Sequence, residues 1–185
     1  PSMRIATFAI ICAPMIVAAG CAPAPQEPAY APPPPADIAQ AVLRDASGNE
    51  VGDALLTQLD QGIRVVIRVA GLSPGVKAAH LHMTGRCDAP DFTSAGGHWN
   101  PEGREHGRDN PGGQHMGDMP NLIVGQGGRG LLEVTITGGW IDGSDRALLD
   151  ADGAAVMIHA GPDDYRSDPT GNAGGRIACG IITAG

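Results

Sequence analysis

The residues of this chain best suited to chemistry are its histidines, because imidazole is the commonest metal ligand in proteins. There are six: His80, His82, His98, His106, His115 and His159. Asp118, three residues after His115, adds a carboxylate oxygen. One tetrahedral ion uses four ligands, so seven candidates in this pattern predict two bound metal ions.

Short strands must position these ligands. Residues 63–69 and 132–136 alternate apolar with polar or charged side chains, which predicts half-buried strands. Residues 41–44 predict a strand that enters a turn, and residues 52–59 its partner. Helical periodicity is not sustained anywhere after the N-terminal segment. With 28 Gly and 16 Pro, this pattern predicts an all-β sandwich or barrel with large loops.

The alternation of side chains along two strands predicts where the metal site lies. His80 and His82 share one face of their strand and Leu81 takes the other, while His159 faces opposite to Ile158. The apolar residues can therefore fill the core while the histidines point away from it. We expect the site on the outside of the barrel, under a loop.

Two long irregular stretches are candidates for that loop. Residues 85–130 show little regular structure, and a stretch of this length is normally functional or disordered. It holds three of the histidines, so metal ions and covalent links can replace missing strand hydrogen bonds. Residues 161–175 form a second such stretch, with Asp163, Asp164, Arg166 and Asp168.

The N-terminal residues are typical of an export signal. Arg4 precedes an apolar run over residues 5–17, too short for a comfortable membrane span, and small residues follow before Cys21. We expect a signal peptide over residues 1–20, with Met3 as its start. The ending before Cys21 resembles a bacterial lipobox, which predicts a lipidated Cys21. The alternative is an ordinary signal peptide cut near Gly20.

The expected export defines the domain organisation and the location. Residues 21–36 consist of Cys21 and a Pro- and Ala-rich segment, which reads as an extended tether. One domain follows over residues 37–185. We expect it in the periplasm, anchored to a bacterial membrane through the lipid at Cys21.

Cysteine usage predicts one disulfide. Cys12 leaves with the signal peptide and Cys21 carries lipid, so Cys87 and Cys179 remain, in an oxidising compartment. Their bond would stabilise the fold by about 4–5 kcal/mol in the chain-entropy model. Two free thiols that act as soft metal ligands are the alternative. The formal charge of −8 argues against nucleic acid as a partner.

The motifs around the histidines resemble the copper–zinc superoxide dismutases in their bacterial secreted form. The resemblance runs in order from about Leu72 to Ile182, and together its motifs are specific. They are His80-x-His82, Ser94-Ala95-Gly96-Gly97-His98-Trp99-Asn100-Pro101, His106-Gly107, His115-Met116-Gly117-Asp118-Met119-Pro120-Asn121-Leu122 and Gly171-Asn172-Ala173-Gly174-Gly175-Arg176-Ile177-Ala178-Cys179-Gly180. The resemblance implies a Greek-key β-barrel or sandwich of about eight antiparallel strands with two long functional loops.

The resemblance also implies one copper ion and one zinc ion per subunit. The copper ligands would be His80, His82, His98 and His159. The zinc ligands would be His98, His106, His115 and Asp118. His98 would bridge the two ions, and Asp163 would hydrogen-bond between His80 and His106. These donor types suit the two metals, and a metal-bound histidine needs its second nitrogen held.

The implied activity is the dismutation of superoxide to dioxygen and hydrogen peroxide. Copper would cycle between two oxidation states, zinc would be structural, and His98 would carry a proton. Arg176 would attract the anion beside copper, and Cys87 would tie the long loop to the strand of Cys179, which fixes that arginine. We expect a monomer or a homodimer.

The chain departs from the family pattern in two places. Trp99 stands where Phe or Tyr is more usual, a slight change because both are apolar. Residues 161–175 carry several aspartates and only Arg166 as a cation, although Arg104 and Arg108 can offset them locally. On this basis we expect a fast enzyme whose rate falls with ionic strength.

Three other functions compete with this reading. The strongest is a non-catalytic periplasmic lipoprotein that carries copper and zinc on the same fold, because it needs the same ligands and differs only in turnover. A structural β-sandwich would leave the histidines incidental. A zinc hydrolase would need an open zinc position with a carboxylate base nearby, and the expected zinc site is closed.

Overall fold

The structure is a computed structural model that describes residues 37–185. The predicted signal peptide, lipidated Cys21 and tether lie outside the described residues. The described part contains ten strands: β1 (Ile38–Asp45), β2 (Glu50–Leu59), β3 (Gly62–Ala70), β4 (Gly75–Lys77), β5 (Ala79–His82), β6 (Leu122–Val124), β7 (Arg129–Thr137), β8 (Ala155–His159), β9 (Arg176–Ile181) and β10 (Thr183–Ala184). No helix within these residues is long and apolar enough to span a membrane.

The strands form a nearly closed antiparallel barrel. Their order in the sheet is β4-β6-β7-β3-β2-β1-β9-β8-β5, and β10 pairs with β1. The two ends of this path, β4 and β5, are joined in the chain through Ala78 alone. The all-β prediction is confirmed. The described strands number ten rather than about eight. Three of them, β4, β6 and β10, have only two or three residues, and an alternating pattern cannot be recognised over so short a segment.

The alternation seen in the sequence explains the core. In β3, Ile63 and Ile67 are fully buried, whereas Arg64 and Arg68 are exposed. The core is aliphatic because the whole chain has only six aromatic residues. Arg64 forms an ion pair with Glu133 on the neighbouring strand, at 2.8 Å on the outer face. Strands β2, β3 and β7 therefore form a sheet with one face packed on the core and one face exposed to solvent.

Irregular segments connect the other strands. Residues 83–121 contain one 3-10 turn, Thr93–Ala95, between β5 and β6. The long loop predicted over residues 85–130 is therefore shorter, because β6 and the start of β7 occupy its C-terminal end. Residues 160–175 link β8 to β9, as expected. A third irregular segment, residues 138–154, links β7 to β8 and was not predicted.

Candidate metal centre

Two neighbouring strands carry three of the histidines to one place. β5 pairs with β8 in antiparallel register, with His80 opposite Met157. Leu81 and Ile158 point into the core, and the alternation of side chains turns His80 and His82 to the other face. His159 ends β8 at a register irregularity between Ile158 and His159. The expected location outside the core, beneath a loop, agrees with this arrangement.

The long loop returns twice to the free edge of β5. Isolated bridges pair His98 with His82 and Asp118 with His80. Between them, the Leu81 N–H donates to the Gly117 carbonyl at 2.9 Å, and the Trp99 N–H to the Leu81 carbonyl at 2.8 Å. A side chain at Gly117 would collide with the Leu81 carbonyl. Backbone contacts thus place the loop ligands opposite the strand ligands.

Four imidazoles converge in what we call the four-histidine cluster: His80, His82, His98 and His159. One ligand atom from each lies within 4.8 Å of the others. Each ring is held by one nitrogen and offers the other. The His82 Nδ1 contacts the Gly96 carbonyl at 3.0 Å, and the His159 Nδ1 the Gly174 carbonyl at 3.2 Å. The second nitrogens, His80 Nδ1 and Nε2 of His82, His98 and His159, are buried without a hydrogen-bond partner.

Buried nitrogens without partners are costly unless something binds them. Four such atoms that face one point are the donor set that Cu(II) takes in proteins, which is imidazole nitrogen. The four-histidine cluster therefore fits a copper ion.

A second group, which we call the His–Asp cluster, consists of His98, His106, His115 and Asp118. The Asp118 carboxylate lies 2.8 Å from His98 Nδ1, 3.0 Å from His106 Nδ1 and 3.2 Å from His115 Nδ1. The Nδ1 atoms of His98 and His115 are 3.3 Å apart. Ligand atoms around a tetrahedral ion with bonds of about 2.0 Å are about 3.3 Å apart, so this cluster fits zinc.

One ring nitrogen in this cluster supports the metal reading directly. His106 Nδ1 is close to Asp118 Oδ2, yet it is misaligned for a hydrogen bond and is left without a partner. His80 also approaches His98, His106 and Asp118 within 4.8 Å. We place His115 rather than His80 in this cluster, because His80 presents its free Nδ1 to the other cluster and its Nε2 is already bonded.

Asp163 links the two clusters, because its carboxylate contacts one histidine of each. Its carboxylate lies 2.8 Å from His80 Nε2 and 2.9 Å from His106 Nε2. Asn121 fixes the backbone of Asp163 from both sides, through Nδ2 to its carbonyl and through Oδ1 from its N–H. Gly171, whose φ lies in the left-handed region, packs closely against Asp163 and His106. A side chain at this position would overlap the Asp163 carboxylate.

The electrostatics of the metal-free protein suit cation binding in the four-histidine cluster. Burial lowers the pKa of His82 to about 2, of His98 to about 4 and of His159 to about 3, with neighbouring positive groups adding to the effect. These rings are neutral and keep a lone pair for a metal. In the His–Asp cluster, burial lowers the pKa of His106, but Asp118 and Asp163 outweigh it and raise this pKa to about 9. Burial opposes ionisation of Asp118, but the nearby imidazoles of His106, His115 and His98 hold its pKa well below the usual range.

Comparison with known proteins agrees with these clusters. The family model described as copper/zinc superoxide dismutase matches residues 50–182. The chain belongs to this family. It is 42% identical over 148 residues to superoxide dismutase [Cu-Zn] 2 of Aquifex aeolicus, which covers 78% of this chain and 85% of that protein. It is 39% identical over 150 residues to superoxide dismutase [Cu-Zn] of Caulobacter vibrioides, over 78% and 84% of the two chains.

Solved structures give the same result for the fold. A SOD-like protein from Bacillus subtilis superposes with a TM-score of 0.73 at 39% identity, over 77% of this chain and 96% of that one. The chain is thus a copper–zinc superoxide dismutase by family, an enzyme with copper and zinc as cofactors and superoxide as substrate. The predicted family, fold, activity and cofactors are confirmed.

The family's arginine is held by the loop backbone. Arg176 opens β9, and its guanidinium donates to the carbonyls of Phe92 at 2.6 Å and Gly96 at 2.7 Å. The Gly96 carbonyl also contacts His82, so one peptide group positions both side chains. Burial lowers the pKa of Arg176, and the charge of Asp91 opposes that shift.

The predicted disulfide is confirmed and secures the same loop. Cys87 is bonded to Cys179 of β9, three residues beyond Arg176. Phe92, Ala95 and Met157 pack with the bond in a small apolar cluster outside the main core. The loop that carries the Gly96 carbonyl is thus tied covalently to the strand that carries the arginine.

The structure brings together all seven predicted ligands, Asp163 and Arg176. Arg104 and Arg108 line a cavity together with His115 and Asp118, and neither lines the cavity of Arg176, His98 and His159. The roles of the Gly96 carbonyl and of Asn121 were not predicted from the sequence. The first is a backbone atom without a sequence signal, and the second lay inside a recognised motif but had no assigned role.

Proposed function

We propose that this chain dismutes superoxide with copper in the four-histidine cluster and zinc in the His–Asp cluster. One observation supports this most strongly. His98 belongs to both clusters, with Nδ1 toward Asp118 and a partnerless Nε2 toward the other histidines. A single imidazole shared by the two clusters would couple a redox ion to a structural one.

When bound, copper would take an electron from one superoxide ion and give it to a second, and zinc would keep the His98 ring in place. Arg176 binds the anion, since its guanidinium lines the same cavity as His98 and His159. His98 takes up a proton at Nε2 while its Nδ1 stays in the His–Asp cluster. It donates that proton to the second superoxide ion, and water supplies the other, so that hydrogen peroxide leaves.

Turnover of the metal-loaded protein tests this function. We expect rapid dismutation in the wild type, because superoxide dismutase is itself a reference example of enzymes near the diffusional ceiling. His159→Ala removes one copper ligand and leaves the His–Asp cluster intact, so activity and copper binding should disappear while one zinc ion stays bound. Arg64→Ala, on the outer face of β3, is the control and should leave all three unchanged.

Stoichiometric binding of both metals without turnover in the wild type would overturn the proposed activity and identify a metal-carrying protein. Full activity in His159→Ala would overturn the ligand assignment.

We also propose that the protein is exported and anchored to a bacterial membrane through a lipid on Cys21. Small residues directly before this cysteine and a Pro- and Ala-rich segment after it support the proposal. A labelled fatty acid should be incorporated into the wild type in cells and absent from Cys21→Ser. A soluble, unlabelled wild-type protein would contradict the anchor.

A further inference from the structure

A metal-bound histidine needs an acceptor for its second ring nitrogen, which fixes the ring and raises its basicity. All three imidazoles of the His–Asp cluster present Nδ1 to Asp118. The Nε2 of His98 is turned toward the four-histidine cluster, and the Nε2 of His106 is held by Asp163 at 2.9 Å. The Nε2 of His115 is therefore the third nitrogen that requires an acceptor.

One carboxylate faces this nitrogen. Asp168 Oδ1 lies 3.8 Å from His115 Nε2, and no other carboxylate within residues 37–185 forms an ion pair with this nitrogen. The same oxygen accepts a hydrogen bond from the backbone N–H of His106 at 2.6 Å. A single carboxylate oxygen thus lies against two of the three histidines of the His–Asp cluster.

The position of Asp168 does not depend on its own charge. Its side chain is 47% exposed, and in the described part of the chain it pairs with no arginine or lysine. Backbone contacts hold its segment against the long loop, because the Asp109 N–H donates to the Tyr165 carbonyl at 3.0 Å and Asn110 Nδ2 to the Arg166 carbonyl at 3.5 Å. The carboxylate is therefore available to the two histidines.

The tautomer of a metal-bound imidazole gives this contact a function. When Nδ1 of His115 binds a metal, the ring proton lies on Nε2, so the ring presents an N–H donor to Asp168. In the metal-free protein, 3.8 Å is too long for a hydrogen bond and leaves an electrostatic contact. Asp163 differs, because it is buried and contacts one histidine of each cluster. Asp168 contacts histidines of the His–Asp cluster only.

We propose that Asp168 is a positioning residue for zinc, which holds the backbone of His106 and accepts the Nε2–H of His115, and so sets the affinity for zinc but not for copper. The proposal rests on the proposed function for the identity of the metal in the His–Asp cluster. The two carboxylates of residues 160–175 then have separate roles, since Asp163 acts on both metals and Asp168 on one.

Metal affinities of two variants test this role. D168N removes the charge, while its amide oxygen can still accept the His106 N–H, so the change falls on His115. We expect the zinc dissociation constant of the copper-free protein, measured in competition with a chelator, to rise about tenfold in D168N and up to about 100-fold in D168A, which removes both contacts. The copper dissociation constant at saturating zinc should stay within about twofold of the wild type, which also shows that the variants fold.

D109N is the matched control. Asp109 is exposed and lies in the same loop as His106, and its carboxylate has no partner among the described residues. The variant changes the charge near the cluster by the same unit and should leave the zinc dissociation constant unchanged. An unchanged zinc constant in D168N, an equal rise in D109N, or an equal loss of affinity for both metals in D168N would overturn the role of Asp168.

The imidazole proton gives a readout that does not need turnover. In the zinc-loaded, copper-free protein, the Nε2–H of His115 should give an NMR signal that exchanges slowly with solvent, and D168N should accelerate this exchange. Equal exchange rates in the wild type and D168N would overturn the contact. Zinc binding with a slowly exchanging proton but no dismutation would retain the role of Asp168 and reject the dismutase, whereas a wild type that binds no zinc would reject both.

Discussion

Strands and loops stabilise this molecule by different means. β2 and β3 form an unbroken ladder of eight residue pairs, and β3 and β7 one of nine. We call β1, β2, β3 and β7 the strand half, and residues 83–121 with 160–175 the loop half. The backbone of the loop half pairs with β5 through isolated bridges rather than a ladder, and its interior is polar: Asp118 and Asp163 are buried there with the histidines.

The comparison shows which interactions stabilise the loop half in place of a ladder of backbone hydrogen bonds. In the strand half, backbone hydrogen bonds and aliphatic packing come with the sequence pattern. In the loop half, one disulfide, a carboxylate between two imidazoles and a set of partnerless nitrogens take their place. We therefore expect folding and metal loading to be coupled in the loop half and independent in the strand half.

The largest effect should come from removing the metals. Because the buried ligand atoms lose their partner, we expect the chelated protein to lose more than about 4 kcal/mol of unfolding free energy. Hydrogen exchange should accelerate in residues 83–121 and 160–175 and stay slow in β2, β3 and β7. Uniform acceleration across both halves would show that the division is wrong.

Loss of the disulfide should rank second. C87S/C179S releases a link between residues 92 apart in sequence, and we expect the free energy of unfolding to fall by about 2–4 kcal/mol. The rate constant for superoxide should fall as well, because the Phe92 and Gly96 carbonyls then no longer hold Arg176 as firmly. Thermal melting and pulse radiolysis measure the two effects. Unchanged stability would contradict a covalent role in the loop half.

The two halves also differ in how far the sequence predicts them. Strand alternation predicts buried Ile63 and Ile67 with exposed Arg64 and Arg68, because a period of two assigns each side chain to a face. β4 and β6 were missed, since three residues cannot show a period. In the loop half, the resemblance predicted the ligands and Asp163, and the fold was needed to place their atoms.

The charged residues that line the cavity of His98 and His159 could not be predicted from the sequence, for a physical reason. Asp145 and Asp150 lie in residues 138–154, a segment without a motif, and reach the cavity only through the path of that loop. Arg104 lies six residues after His98 in the chain, yet it lines a different cavity from that of Asp145 and Asp150. Distance along an irregular segment does not measure distance in the fold, so local charge could not be predicted.

The third effect concerns Asp163. Asp163→Asn removes the charge and one acceptor between His80 and His106, so both rings lose orientation. Loss of such an indirect ligand contact typically costs 10–100-fold in metal affinity. We expect zinc and copper dissociation constants to rise by about this factor in competition with a chelator. Asp60→Asn, at an exposed carboxylate in the turn between β2 and β3, is the control and should leave both constants unchanged.

The smallest effect should come from the strand half. Ile67→Val removes one buried methylene opposite Leu132, and such changes cost about 0.5–1.5 kcal/mol of unfolding free energy. Metal affinity and turnover should not change, because Ile67 packs in the aliphatic core and the ligands lie on the other side of β5 and β8. Denaturant unfolding and metal titration of the same sample measure both quantities. A weaker zinc site in Ile67→Val would mean that core packing sets the ligand positions, and the loop half would then not be an independent unit.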